Sequence, residues 1–329
     1  MISLKNNRTY PKYRVVWLVF VLTLWGGDAL SETRPEKPCL GATIFPLFDL
    51  VRTIGGERFE VIQLLPSGRS EHLFDPAPRD IAKVKKCKAF FAIGLGLDPW
   101  VAKLAIASSG KKAASPRIVE VGVAGNPLPF RHTMPEAVRL LEEADSDRSA
   151  GGQRRGGAGA EALDPHVWLD PIRWEMVARR VQSELAAIDP DGTKGFSERT
   201  ADFARLLNAV HLKFGGAAAK WKNSRVVTVH GAYGYFSLRY GVRIPAVLEL
   251  IPGRQPSAKY MSLALATIRR EQVPIVLAEP QIDQRTPRMI ASETGARLVT
   301  VDPIGGVVPG ETWESMMTRF FEVLSGALK

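Results

Sequence analysis

The run Arg225-Val226-Val227-Thr228-Val229-His230-Gly231-Ala232-Tyr233-Gly234 decides the fold. Its β-branched residues follow one another without polar alternation, the pattern of a short strand buried on both faces, as in a parallel sheet. His230 ends the run, Gly231 breaks it, and 231–239 reads as a helix. A strand feeding a helix through a tight turn opens a βαβ unit. The same alternation continues with strands at 245–249, 274–278 and 297–301 and helices at 258–271, 286–294 and 312–327. Towards the N-terminus it is present again, with strands at 41–45, 59–65, 89–94 and 117–123 and helices at 46–54, 79–86 and 98–108. Between the two sets lie helical patterns at 171–187 and 197–221, the second amphipathic and about 25 residues long. The fold class expected is α/β: two lobes, each a mostly parallel sheet flanked by helices, joined by one long rigid helix. The lobes run over 38–196 and 222–329, with 197–221 as the linking helix. Residues 147–163 are Gly-rich and polar, and read as a surface loop inside the first lobe.

Bulk properties narrow the function classes. The chain has 329 residues, 45% hydrophobic and 24% charged, enough apolar material for one large or two medium domains. Lys5, Arg8, Lys12 and Arg14 precede an apolar run from Val15 to Trp25, and Ala29 and Ser31 supply the small residues of a cleavage point. That is the layout of a secretory signal peptide over 1–31, so export to the periplasm is expected. The run is short for a membrane span, and an uncleaved membrane anchor is the alternative. Cys39 follows Glu36-Lys37-Pro38 and not the small residues that precede a lipidated cysteine. The formal net charge is +10, and loss of the leader leaves about +7. The basic residues are scattered and no recognition motif accompanies them, so nucleic acid is not an expected partner. Cys39 and Cys87 each precede a strand-like run. If those strands are parallel neighbours, a disulfide is reasonable in an oxidising compartment; two free buried thiols are the alternative.

Five histidines allow each to be weighed. His72 follows the turn Pro66-Ser67-Gly68, His166 stands in Asp164-Pro165-His166-Val167-Trp168, and His230 ends its strand. Glu279 follows Ile275-Val276-Leu277-Ala278, and Asp302 follows Leu298-Val299-Thr300-Val301. In open parallel sheets, ligands bind beyond the carboxyl ends of the strands, where His72, His230, Glu279 and Asp302 are expected. Three imidazoles with one carboxylate suit a four-coordinate zinc site. His132, in a loop, and His211, within the long helix, read as ordinary structural residues. There is no HExxH, no phosphate-binding glycine loop and no GxSxG, so no motif argues for an enzyme.

At these positions the chain resembles the zinc/manganese substrate-binding proteins of bacterial ABC transporters, the ZnuA/TroA-like group. The resemblance runs over roughly 40–328. Its marks are Ile44-Phe45-Pro46-Leu47-Phe48-Asp49-Leu50-Val51 with Ile54-Gly55-Gly56, and Glu71-His72 leading into Asp75-Pro76-Ala77-Pro78-Arg79-Asp80. Gly94-Leu95-Gly96-Leu97-Asp98 with Trp100, the block Asp164-Pro165-His166-Val167-Trp168-Leu169-Asp170-Pro171, His230 through Tyr240-Gly241, and Glu293-Thr294-Gly295-Ala296 complete the set. The resemblance implies a metal held between the lobes by His72, His166, His230 and Asp302. Glu279 matches a second carboxylate near the site, and Glu71 is a further candidate. It also implies a monomeric receptor that delivers Zn2+, with Mn2+ the alternative, to a permease in the membrane.

Two features depart from the pattern. The 147–163 loop contains no His, unlike the His-rich loop of many zinc-type members, and carries Arg148, Arg154 and Arg155. The first turn reads Glu71-His72-Leu73-Phe74-Asp75-Pro76 where Pro-His-x-Tyr-Glu-Pro is commoner. The rival readings are a secreted metal-dependent adhesin and a zinc hydrolase with Glu279 as its base.

Overall fold

Two four-stranded parallel sheets carry the architecture of the computed structural model, which describes residues 36–109, 114–145, 160–250, 253 and 256–328. The expected signal peptide lies outside these residues, as does most of the 147–163 loop. In the first sheet β1 (Cys39–Ala42), β2 (Glu60–Gln63), β3 (Cys87–Ala92) and β4 (Arg117–Glu120) stand in the order β2-β1-β3-β4. The crossovers are α1 (Phe45–Gly55), α2 (Pro78–Val84) and α3 (Trp100–Ser108). The second sheet repeats that order without repeating the sequence: β6 (Val247–Glu249), β5 (Val227–His230), β7 (Ile275–Ala278), β8 (Arg297–Thr300). Helices α8 (Gly234–Tyr240), α9 (Ala258–Arg270), α10 (Arg285–Thr294) and α11 (Trp313–Leu328) follow its four strands in turn. Strands β1, β3 and β5 are buried almost throughout, which explains their unbroken apolar character.

This strand order puts a topological switch between β1 and β3, and another between β5 and β7. In the first lobe the crevice is filled from within. Thr43 Oγ1 donates to Asp98 Oδ2 at 2.6 Å, and the backbone N–H groups of Ile93 and Gly94 donate to the same carboxylate at 2.9 Å. In the second lobe His230 closes β5 and Glu279 follows β7 at the corresponding crevice. At the other end of the first sheet, Cys39 and Cys87 are opposed across β1 and β3 and form a disulfide.

Helical segments join the sheets. α4 (Phe130–Thr133) and α5 (Pro135–Asp145) follow β4, and α6 (Pro171–Ile188) leads to α7 (Thr193–Ala218). The sequence reading leaves 135–145 unassigned. There Ala137, Val138, Leu140 and Ala144 form the buried stripe of a helix. The long helix α7 starts and stops a few residues before the expected 197–221. The turn Pro190–Gly192 winds directly into Thr193, and beyond Ala218 the chain tightens into i→i+3 bonds from Lys220 and Trp221. Its buried residues Phe196, Thr200, Phe203, Leu207, Val210 and Phe214 recur every three or four positions and keep one stripe inward along about 39 Å of helix. Phe196 stacks on Phe59 of the first lobe, and Phe214 stacks on Phe321 of α11 at 4.0 Å between ring centroids. One continuous apolar cluster runs from Cys39 and Leu40 through these rings to Leu328, so the lobes share a core. Among the described residues no helix is long and apolar enough to cross a membrane.

Candidate metal centre

The two residues that first reach the cleft are neighbours in sequence. β2 ends at Gln63, so His72 does not stand at a strand edge as the sequence suggests. A loop containing Pro66 and Gly68 carries it there. Trp100, at the start of α3, fixes that loop: its indole N–H donates to the Glu71 carbonyl at 2.8 Å, and its ring meets Phe74 edge to face at 4.8 Å. Glu71 and His72 both turn inward, with Glu71 Oε1 3.8 Å from His72 Nε2. Successive side chains of a strand point to opposite faces, so only an irregular turn brings two neighbours to one point.

His166 enters from the second signature block. The Asp164-Pro165-His166 segment folds back on itself: Asp164 Oδ1 accepts from the His166 backbone N–H at 3.0 Å and pairs with ring Nδ1 at 2.8 Å. His230 arrives from β5 and pairs through Nδ1 with Glu279 Oε2 at 3.2 Å. A carboxylate on Nδ1 holds the proton there, leaving the Nε2 lone pair free to bind a cation. The ring centroids of His72, His166 and His230 stand 4.8–5.7 Å apart.

One ligand atom each from Glu71, His72, His166 and His230 lies within 4.8 Å of every other. Each Nε2 of these imidazoles, and Oε1 of Glu71, is buried without a hydrogen-bond partner. Buried polar atoms left unpaired are costly, and three imidazole nitrogens with a carboxylate oxygen are the donors of a tetrahedral zinc site. The donor set therefore fits a cation. Asp302 is not part of this group. Its Oδ1 accepts from Gln281 Nε2 and from the N–H groups of Ile304 and Gly305 at 2.9–3.0 Å, while Oδ2 is buried and unpaired. Glu279 backs His230 with one oxygen and has its other oxygen unpaired. His211 lies away from the centre, 3.5 Å from the Tyr240 hydroxyl.

The electrostatics follow from burial. His72 is pushed down to about 2 by desolvation and by the two neighbouring imidazoles, and His166 is lowered well below its ordinary value by desolvation and by His230. Glu71 is pushed up to about 7, chiefly by burial, with the Glu279 and Asp302 charges adding to it. Burial also holds Asp164 up at about 7. For His230 burial works downward, but Glu279, Glu71 and Asp164 outweigh it and raise the imidazole. Sequence reasoning missed Asp164 as the partner of His166. The only available signal was its place two residues before a histidine in a proline turn.

Comparison with known proteins places the chain in a family. The family described as "Zinc-uptake complex component A periplasmic" (ZnuA) matches residues 41–327. The chain is 24% identical over 313 residues to the zinc-binding protein AdcA of Streptococcus pyogenes serotype M3, covering 93% of this chain and 59% of that protein. The chain thus spans little more than half the length of the AdcA relatives it matches. It is 21% identical over 277 residues to the high-affinity zinc uptake system protein ZnuA of Bacillus subtilis, covering 84% of this chain and 82% of that one. A crystal structure of ZnuA superposes with a TM-score of 0.72 at 22% identity, covering 89% of this chain and all of the other. With its family matched from the first strand to the last helix, the chain belongs to the ZnuA family of zinc-uptake components.

Proposed function

We propose that this protein is an exported receptor that captures one zinc ion between its lobes and delivers it to the membrane permease of an ABC importer. One observation carries the reading: three imidazole Nε2 atoms and one carboxylate oxygen converge, buried and unpaired, from separate stretches of chain. His72, His166 and His230 are the nitrogen ligands, and Glu71 is the fourth. Asp302 and Glu279 sit behind them, and the free oxygen of Asp302 is close enough to Glu71 to act on its charge. The nitrogen-rich set favours zinc over manganese, which prefers oxygen and binds any given site more weakly in the Irving–Williams order. The role is that of a carrier. A catalytic zinc keeps a position open for water, whereas four protein donors converge here.

The leader over 1–31, read from the sequence, supports a periplasmic location. The core shared by both lobes suits a receptor that changes shape little on loading. Native mass spectrometry with metal analysis tests the reading. The expected result is one zinc per chain, retained against equimolar manganese, and lost in His230→Ala. A protein that takes up neither metal, or a His230→Ala variant that binds zinc as tightly as wild type, overturns it.

A further inference from the structure

A ligand of the first lobe is held in place by a surface of the second. Asp164, which grips His166 through both ring and backbone, is fully buried. Its Oδ2 lies against Gly234, the first residue of α8 and four positions beyond His230. A Cβ added at Gly234 would stand 2.6 Å from Asp164 Oδ2, 2.6 Å from Thr133 Cβ and 2.7 Å from Thr133 Oγ1. None of these separations is tolerable, and the neighbours are a buried carboxylate and a β-branched side chain with little freedom to move. The next residue completes the contact. The Tyr235 hydroxyl donates to the Asp164 carbonyl at 2.8 Å and accepts from the Leu128 N–H at 2.9 Å. Gly231, one residue past His230, approaches the same corner, where a Cβ would lie 2.6 Å from the Leu250 carbonyl and 3.3 Å from Met134.

We propose that Gly234 and Tyr235 of the second lobe are positioning residues for the metal site, forming a cradle that fixes Asp164 and so aims the His166 imidazole. Neither residue touches the cation. Glycine supplies the space in which the carboxylate stands, and the tyrosine hydroxyl fixes the main chain from which it projects. The turn that presents His230 therefore also aims His166, and any movement between the lobes at this corner disturbs two ligands at once. The inference rests on the zinc-receptor reading, because it concerns how that site is held.

The test uses the full chain with three variants. Tyr235→Phe keeps the ring and removes both hydroxyl bonds; Gly234→Ala intrudes on the carboxylate; Asp164→Ala removes the carboxylate itself. Loss of a partner that orients a ligand costs metal affinity about 10–100-fold. Gly234→Ala and Asp164→Ala are expected to weaken zinc binding within that range, and Tyr235→Phe by about three- to tenfold. Gly234→Ala added to Asp164→Ala should weaken it by less than about threefold more. Cobalt(II) bound to Gly234→Ala should show an altered visible absorption spectrum, and nitrogen-15 NMR of the metal-free variant should show a changed His166 ring. A purely structural glycine would lower the melting temperature and leave both spectra unchanged. If Gly234→Ala does not fold, Tyr235→Phe and its spectra decide. Zinc affinity and spectra like wild type in the folded variants, or strictly additive losses in the double variant, overturn the cradle. A wild-type chain that binds no zinc instead removes the receptor reading on which it rests.

Discussion

Trp168 and Pro303, 135 positions apart, are joined by a hydrogen bond of 2.7 Å from the indole N–H to the proline carbonyl. Trp168 lies two residues after His166 and Pro303 one residue after Asp302, so this bond ties a loop carrying a candidate ligand in one lobe to a carboxylate loop of the other. Trp313 returns the contact, donating from its own indole to the Trp168 carbonyl at 3.0 Å. Replacing Trp168 with Phe removes the donor, leaves a buried carbonyl unpaired and empties part of a packed site. A stability loss of about 2–4 kcal/mol is expected, combining an unpaired polar group with a small cavity. Denaturant unfolding of the metal-free protein measures it, and a loss under about 1 kcal/mol contradicts the bridging role.

The carboxylates of Glu71 and Asp302 make different predictions. Glu71 Oε1 is unpaired and within the four-atom cluster, whereas Asp302 has one oxygen committed to three donors, two backbone N–H groups of its own loop and the Gln281 side chain. Glu71→Gln should therefore weaken zinc binding more than Asp302→Asn, by about tenfold or more. Competition titrations with a chromophoric chelator give both constants, and the reverse order would make Asp302 the fourth ligand.

Acid should expel the ion, with a definite sign. Glu71 is held up at about 7 and His230 is raised, so in the metal-free site both carry protons to a higher pH than usual. Zinc must displace those protons, so affinity falls as pH drops below about 7, by about one to two log units per pH unit. His72, held at about 2, is already neutral and contributes nothing to this slope. Calorimetry at pH 6 in buffers of different ionisation enthalpy counts the protons released. Zero release would contradict the electrostatic account.

The disulfide predicts a separation of stability from binding. Cys39 and Cys87 close a 48-residue span, worth about 4 kcal/mol by loop entropy. They join the strands at the end remote from the cleft. Changing both to Ser should lower the melting temperature while zinc affinity at 25 °C stays within about twofold of wild type.

Much of this was legible in the residues themselves. Val226–Val229 announced a doubly covered strand because burial on both faces requires unbroken apolar character, and the parallel order followed from the helices between strands. His72, His166 and His230 could be singled out because histidine is scarce in this chain and each stands beside a turn. Glu71 was legible only as a candidate, since no sequence pattern shows that adjacent residues share one direction. That depends on Trp100, almost thirty positions later, holding the turn by its carbonyl. Asp164 and Gly234 were illegible in their roles for a similar reason. One acts through a ring nitrogen and the other through missing volume, and both become visible only when the lobes are placed together. α5 was not legible because its buried stripe is narrow, two of its four residues being alanine, on an otherwise charged helix.

The N-terminus of α11 is held by the first lobe: the backbone N–H of Trp313 donates to Asp49 of α1 at 2.7 Å, across 264 positions. A growing chain thus emerges through α10 with Asp49, Trp168 and Phe203 still waiting for their partner. Contacts of such separation form late and slowly. Assembly of the front of the molecule is in this way delayed until the sixteen-residue helix α11 has emerged, and a chain cut short of Trp313 would leave the lobe that carries His72 and His166 without its closing piece.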